Sequence, residues 1–154
     1  MPPIHFLLVD DEEKLIETLA KRLRLKGAVV DISLSGADAL NQLERCGTFD
    51  IVVLDIQLPD QDGIRILKKI KATYPLVEVI MLTGHATIQS AVDAVKLGAF
   101  DYLIKPYDLN DLLTKANNAV SKKSDREDRI CKIKLKPYIS QREREKLISE
   151  ILKE

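Results

Sequence analysis

Four short stretches of this sequence carry residue types that can do chemistry together: Asp10-Asp11, Asp55, Thr83 and Lys105. Each follows an apolar run, at residues 4–9, 51–54, 77–82 and 101–104 respectively. A short apolar run bounded by turn residues reads as a strand buried on both faces. Each chemical group therefore stands at the C-terminal end of a strand. Three carboxylates brought close together repel one another, so they either take up protons or demand a cation. A hard divalent ion with oxygen ligands answers that demand; Mg²⁺ typically takes one or two carboxylates together with water and phosphate oxygens. Lys105 adds a positive charge and Thr83 a hydroxyl donor. A carboxylate, a metal, an ammonium and a hydroxyl together suit a phosphoryl group. The cations neutralise its oxygens and the carboxylate can attack phosphorus.

Each of these signals has a plainer account when taken singly. Acids at a helix start complement the helix dipole, which by itself explains Glu12 and Glu13. Asp55 alone could be a turn or cap residue, and Thr83-Gly84 an ordinary loop. Lys105-Pro106 means little in isolation. Their fall at four strand ends favours the chemical reading.

The elements that must position these groups alternate regularly. The strand at 4–9 is followed by Leu15, Ile16, Leu19 and Leu23 at helical spacing, stopped by Gly27. A short strand at 28–32 leads to Ala37, Leu40 and Leu43 on a second helix. After the strand at 51–54, Pro59 and Gly63 mark a loop, and Ile64, Leu67 and Ile70 a third helix closed by Tyr74-Pro75. The strand at 77–82 precedes Ala91, Val92 and Val95 on a fourth helix, stopped by Gly98. The strand at 101–104 precedes a fifth helix with Leu109, Leu112, Leu113, Ala116 and Val120. Five βα units imply an α/β fold, a parallel sheet with helices on both faces. Such sheets bind ligands beyond the carboxyl ends of their strands, which is where the four groups lie.

Composition narrows the class further. The 154 residues make about one domain, and 24 basic against 24 acidic residues give no overall prior for nucleic acid or membrane. The balance is uneven: residues 1–120 hold 13 Lys and Arg against 17 Asp and Glu, whereas residues 121–154 hold 11 against 7. No apolar run approaches the ~18 residues of a membrane span, and no signal peptide precedes the first strand. Cys46 and Cys131 lack metal-ligand spacing, so a reduced, cytoplasmic protein is expected.

From residue 4 to about 120 the sequence resembles the receiver domain of two-component response regulators. The resemblance rests on the acidic pair Asp10-Asp11, on Asp55, on Thr83 and on Lys105-Pro106. The loop Leu58-Pro59-Asp60-Gln61-Asp62-Gly63 adds the family's proline-to-glycine spacing, and Tyr102 stands at its switch-aromatic position. The stretches 82–86 and 98–102 look most like receivers of sigma-54-dependent activators. The resemblance implies a flavodoxin-like, doubly wound five-stranded parallel sheet of order 2-1-3-4-5, with a C-terminal helical tail. It implies that Asp55 accepts a phosphoryl group from a phosphohistidine on a sensor histidine kinase or phosphotransfer protein and slowly loses it to water. Such a protein catalyses its own phosphorylation and dephosphorylation and turns over no outside substrate. Asp11 and Asp55 are implied as direct ligands of Mg²⁺, or of Mn²⁺ in its place. Asp10 is implied through water and Gln57 through its backbone carbonyl. Thr83 and Lys105 would contact phosphoryl oxygens, the Lys105-Pro106 peptide would be cis, and Gly84 would leave room for the phosphate. Gln57 and His85 would tune hydrolysis, although an exposed loop histidine accounts for His85 equally well; His5 reads as structural. Thr83 and Tyr102 would form the switch acting on helix four, strand five and helix five, a face that also offers a homodimer contact.

The domain is expected to span residues 1–122, with a polar linker and a C-terminal helix over 123–154. Residues 121–129 form a charge run, read as a solvated helix end or linker. Residues 130–136 roughly alternate apolar and basic, which suggests a strand or extended segment. Ser140-Gln141-Arg142-Glu143 fits a capping box, and Leu147, Ile148, Ile151 and Leu152 form a stripe, so a helix of about four turns is expected. Its stripe must be covered either by its own domain or by a second chain in a homodimer. The tail is too short for an ATPase output domain, and one helix cannot make a helix-turn-helix, so no direct nucleic-acid binding is expected. The chain is then a stand-alone receiver or the front of a longer transcriptional activator. A haloacid-dehalogenase-type phosphatase is disfavoured because Gln57 stands where that chemistry needs a second Asp. A dinucleotide fold is disfavoured because no Gly-x-Gly-x-x-Gly follows the first strand.

Overall fold

The structure is a computed structural model, and it describes residues 2–84 and 87–154. Five strands, β1 (His5–Val9), β2 (Val29–Ser33), β3 (Ile51–Asp55), β4 (Glu78–Thr83) and β5 (Asp101–Ile104), pair in parallel in the order β2-β1-β3-β4-β5. They alternate with α1 (Glu13–Leu25), α2 (Gly36–Arg45), α3 (Gly63–Thr73), α4 (Ile88–Lys96) and α5 (Leu109–Leu135), and α6 (Gln141–Leu152) follows. Among the described residues, no helix is long and apolar enough to cross a membrane.

The strands read as continuous apolar runs because both faces of the sheet are covered. Leu7, Val9, Val52, Leu54, Val79 and Met81 share one core with Ala39 and Leu43 of α2, Leu67 and Ile70 of α3, and Ala91 and Ala94 of α4. Phe6, Leu8, Val53, Ile80, Leu82 and Leu103 share the other with Ile16 and Leu23 of α1, and with Leu112 and Ala116 of α5. Alternate residues on each strand serve alternate layers, as the two-residue period of a strand requires. Two residues placed on buried stripes by helical spacing face outward instead. Leu15 is 45% exposed and Val95 is 38% exposed, so α4 turns the small Ala91 and Ala94 to the core. His5 serves structure, its ring lying between Asp31 Oδ2 (2.8 Å) and Thr48 Oγ1 (3.1 Å) and against Phe49.

The tail departs from the sequence expectation. The segment 121–136, read as a charge run followed by an extended piece, is helical to Leu135, so α5 has 27 residues and a length of about 40 Å. No Gly or Pro interrupts residues 107–136. Ile130 and Ile133, which fit an alternating pattern, also fit helical i, i+3 spacing. They are buried against Leu76, Ile139, Ile151 and the half-buried Leu147, Ile148 and Leu152. The stripe of α6 is thus covered by its own chain. Ser140 caps α6 by accepting from the Glu143 N–H at 3.0 Å.

Polar contacts fasten this extension to the N-terminal edge of the sheet. Lys123 reaches Asp50, just before β3, at 3.2 Å. Arg126, only 2% exposed, donates to the fully buried Glu78 at the start of β4 at 2.8 Å, to Pro75 O at 3.1 Å and to Leu152 O, at the end of α6, at 3.0 Å. Lys71 lies 3.9 Å from the same carboxylate, and burial pulls its pKa down to about 8. Removing one member of a buried ion pair strands the other's charge. Arg126→Met should therefore cost about 3–5 kcal/mol of stability in urea unfolding. Arg126→Met with Glu78→Leu should recover much of that loss, because the stranded carboxylate is gone and the Lys71 ammonium keeps Pro75 O and Val77 O as acceptors. A single variant within about 0.5 kcal/mol of wild type, the range of ordinary surface changes, would show that the pair does not anchor the tail.

Candidate functional site

The strand register brings the chemical groups to one edge. Asp55 pairs with Leu82, and Thr83 pairs with Ile104, one residue before Lys105. Strands β1 and β3 lie side by side, so Asp10 and Asp11 follow β1 next to Asp55. Four backbone hydrogen bonds continue the ladder into the loops: Asp10 N–H to Ser33 O, Ile56 N–H to Leu82 O, Gly63 N–H to Ile56 O, and Lys105 N–H to Thr83 O.

Lys105 is the hub. Its Nζ donates to Asp10 Oδ2 at 2.8 Å, to Asp55 Oδ2 at 3.0 Å and to Glu12 Oε1 at 3.4 Å. Burial works against its charge, but hydrogen bonds to Asp10 and Asp55 outweigh that and hold the ammonium well above the usual lysine range. Burial raises the Asp55 carboxyl above its ordinary value, and hydrogen bonds from Lys105 and from the Gln57 N–H only partly offset it. Asp10 is buried, and its Oδ1 accepts the Glu12 N–H at 3.0 Å. Burial also pushes the neighbouring Tyr107 hydroxyl up to about 12. The Lys105–Pro106 peptide is cis.

The donor set fits a divalent cation. Asp10, Asp11 and Asp55 each offer a carboxylate oxygen, all within 4.8 Å of one another. One ammonium among these acids leaves excess negative charge, and oxygen-only ligands select a hard ion.

Thr83 is buried at the same edge, but its hydroxyl is turned elsewhere. It donates to Gly84 O at 3.0 Å and is hydrogen-bonded to the hydroxyl of Thr87, the N-cap residue of α4. Among the described residues, a Cβ at Gly84 would meet nothing within 4 Å. Tyr102 is half-buried against the core beneath α2, α3 and α4. The side chain of Gln57 is exposed, and its N–H donates to Asp55 Oδ1 at 3.0 Å. His85 lies outside the described residues.

Two contributors escape sequence reasoning, and Gly63, read there as a loop marker and the end of a proline-to-glycine spacing, has a steric role that the reading did not assign. Glu12 is accounted for by the helix dipole, yet its carboxylate reaches Lys105. Thr87 binds the Thr83 hydroxyl, and a Thr four residues on at a helix start was the available signal. Gly63 is required by space: a Cβ there would lie 2.3 Å from Asp55 O.

Residues 6–117 match the response regulator receiver domain family. The chain is 39% identical over 118 residues to the transcriptional regulatory protein ZraR of Escherichia coli (strain K12), covering 77% of this chain and 26% of ZraR. It thus spans about a quarter of that relative's length. Its fold matches a response regulator receiver domain protein of Clostridium thermocellum with TM-score 0.76 and 35% identity, covering 79% of this chain and 97% of that one. It also matches NtrX of Brucella abortus, crystallised with ADP, with TM-score 0.79 and 26% identity, over 96% of this chain and 33% of that one. With the acidic cluster, the shared lysine and the 2-1-3-4-5 sheet all in place, the chain belongs to the receiver domain family of two-component response regulators.

Proposed function

We propose that this receiver is a phosphorylation-dependent switch whose phosphoacceptor is Asp55. The observation that carries this reading is the placement of Lys105 Nζ between Asp55 and Asp10, with Asp11 beside them. A carboxylate oxygen of Asp55 attacks the phosphorus of a phosphohistidine on a sensor kinase or phosphotransfer protein. The P–N bond breaks, the imidazole leaves with the electron pair and takes up a proton, and Asp55 becomes an acyl phosphate. Lys105 follows the transferred oxygens with its ammonium. Asp11 and Asp55 would hold Mg²⁺ or Mn²⁺, with Asp10 and the main-chain carbonyl of Gln57 as further oxygen donors. When bound, the ion supplies positive charge for the phosphoryl oxygens. Water later attacks phosphorus, restoring the carboxylate and releasing phosphate. The first curated relatives are about three times the length of this chain, which favours a place at the front of a longer sigma-54-dependent activator.

The response begins at Thr83. To donate to a phosphoryl oxygen its hydroxyl must leave Gly84 O, and its contact with Thr87, the N-cap residue of α4, changes with that turn. A bound group shifts a two-state equilibrium only through differential contacts with the two states. The exchange of Gly84 O for phosphate, with the accompanying change at Thr87, supplies that difference, and Tyr102, half-buried under α4, turns inward as it happens.

Acetyl phosphate with Mg²⁺ should add one phosphate to the wild type by intact mass and none to Asp55→Ala; equal labelling of both would remove the assignment. Asp11→Ala should lose the most metal affinity, because it deletes a direct charged ligand.

The metal-free protein should show the Asp55 carboxyl titrating above the ordinary aspartate value of 3.8 in a carbon-detected NMR titration. A raised folded value means that ionised Asp55 costs stability, a cost that sets in as pH rises from the ordinary value through the folded one. Lys105→Met should raise the value further, since it removes the hydrogen bond that favours the anion. A downward shift in that variant would contradict the shared-lysine geometry.

Thr83→Ala should still take the phosphoryl group but respond less. Beryllofluoride, a phosphoryl mimic, should shift wild-type amide resonances through α4 and β5 to Tyr107, and this spread should shrink in the variant. Changes confined to the loop after Asp55 in the wild type would break the proposed coupling.

A further inference from the structure

The loop between β3 and α3 must present the Gln57 carbonyl in a fixed position if that carbonyl is to hold an ion. Its base is fastened in three ways. The Gln57 N–H donates to Asp55 Oδ1, Gln57 and Asp62 form an antiparallel bridge, and the Gly63 N–H donates to Ile56 O at 2.7 Å. Beyond Leu58, which packs half-buried on the core, Pro59 and Asp60 are exposed. Apolar burial therefore does not hold the tip.

Asp60 does. Its Oδ1 accepts the Gly36 N–H and its Oδ2 the Ala37 N–H, both at 3.0 Å. These two donors open α2, 24 and 23 residues earlier in the chain. The helix's own cap, Ser35, serves the next two: its Oγ accepts the Asp38 N–H and its carbonyl the Ala39 N–H. Of the N–H groups that the helix leaves without an intrahelical carbonyl, Gly36 and Ala37 are thus served by the distant loop and Asp38 by the Ser35 side chain. A carboxylate at a helix N-terminus also complements the dipole. The hydrogen bonds from Gly36 and then Ala37 hold the Asp60 carboxyl below the usual range. The anchor point is itself rigid, because Gly36 presses on Ile66 of α3, where an added Cβ would lie 2.7 Å from Cδ1.

We propose that Asp60 is a positioning residue: it clamps the phosphoacceptor loop to the start of α2 and so holds the Gln57 carbonyl in place for the divalent cation. This rests on the metal-site reading above. The clamp acts through the loop and touches neither ion nor phosphoryl group.

The full chain provides the test, with Ser35→Ala as the control. That change weakens the same helix end without touching the loop. In metal-free protein, Asp60→Ala should speed amide hydrogen exchange at Gln57 and Asp62 by about tenfold, while Ser35→Ala leaves them unchanged. Calorimetric titration with Mg²⁺ should show affinity about tenfold weaker in Asp60→Ala, the scale on which loss of an outer-shell support is felt, and near wild type in Ser35→Ala. Asp60→Asn, which keeps one good acceptor, should fall between. If the two alanine variants move both readouts alike, the effect is helix capping and the clamp is wrong. If Asp60→Ala leaves both at wild-type values, the clamp is also wrong. If the wild type binds no Mg²⁺ while exchange at Gln57 still responds to Asp60→Ala, the metal-site reading fails and the positioning role goes with it, while the loop contact itself stands.

Discussion

A single ammonium shared among carboxylates is the constraint on which the rest of this structure depends. Asp10 and Asp55 are buried at the carboxyl edge of the sheet, where an unpaired charge is costly. Lys105 makes their burial tolerable, and it can do so only because β5 ends level with β4. The pairing is incomplete by design of charge count: Lys105 also meets Glu12, and Asp11 remains beside it. The edge stays electronegative and receptive to cations, while Asp55 is kept less acidic than an exposed aspartate. An ionised Asp55 is thus held at some expense to stability, a common property of functional sites.

Much of this was legible in the sequence, for identifiable reasons. The five βα units were readable because strands covered on both faces must be apolar runs, and the intervening helices must carry a periodic stripe. Asp10, Asp11, Asp55, Thr83 and Lys105 were readable because each interrupts or follows such a run. What escaped were contacts between polar residues far apart in the chain. Nothing near Asp60 announces that it caps a helix beginning at Gly36, and nothing near Arg126 announces Glu78. The stretch 130–136 was ambiguous in itself, because Ile130 and Ile133 satisfy a loose alternation as well as a helical period. Packing against Leu76 and α6 decided it.

The two edges of the sheet are organised on opposite principles. At the carboxyl edge, acids outnumber the one base and hydroxyl groups have more than one partner within reach, as with Thr83 between Gly84 and Thr87. At the amino edge, Arg126 uses both terminal nitrogens on three acceptors and fixes β4, the Pro75 turn and α6 to one another. Strand β4 and helix α5 each span both edges. The edge that carries the acidic cluster therefore sits on a frame braced at its other end.

The separation of Arg126 from Glu78 also imposes an order on how the molecule is made. The two are 48 residues apart, an interval of roughly 2–10 s at ordinary rates of synthesis. During that interval the first residue of an interior strand carries a carboxylate whose guanidinium does not yet exist. Lys71, translated earlier and placed 3.9 Å away, is the cation already at hand. The guanidinium partner of Glu78 is made only when synthesis reaches the second half of α5. Leu152, whose carbonyl completes the coordination of Arg126, comes later still. The groups that brace the amino edge are therefore among the last to be made, although the strands they brace are among the first.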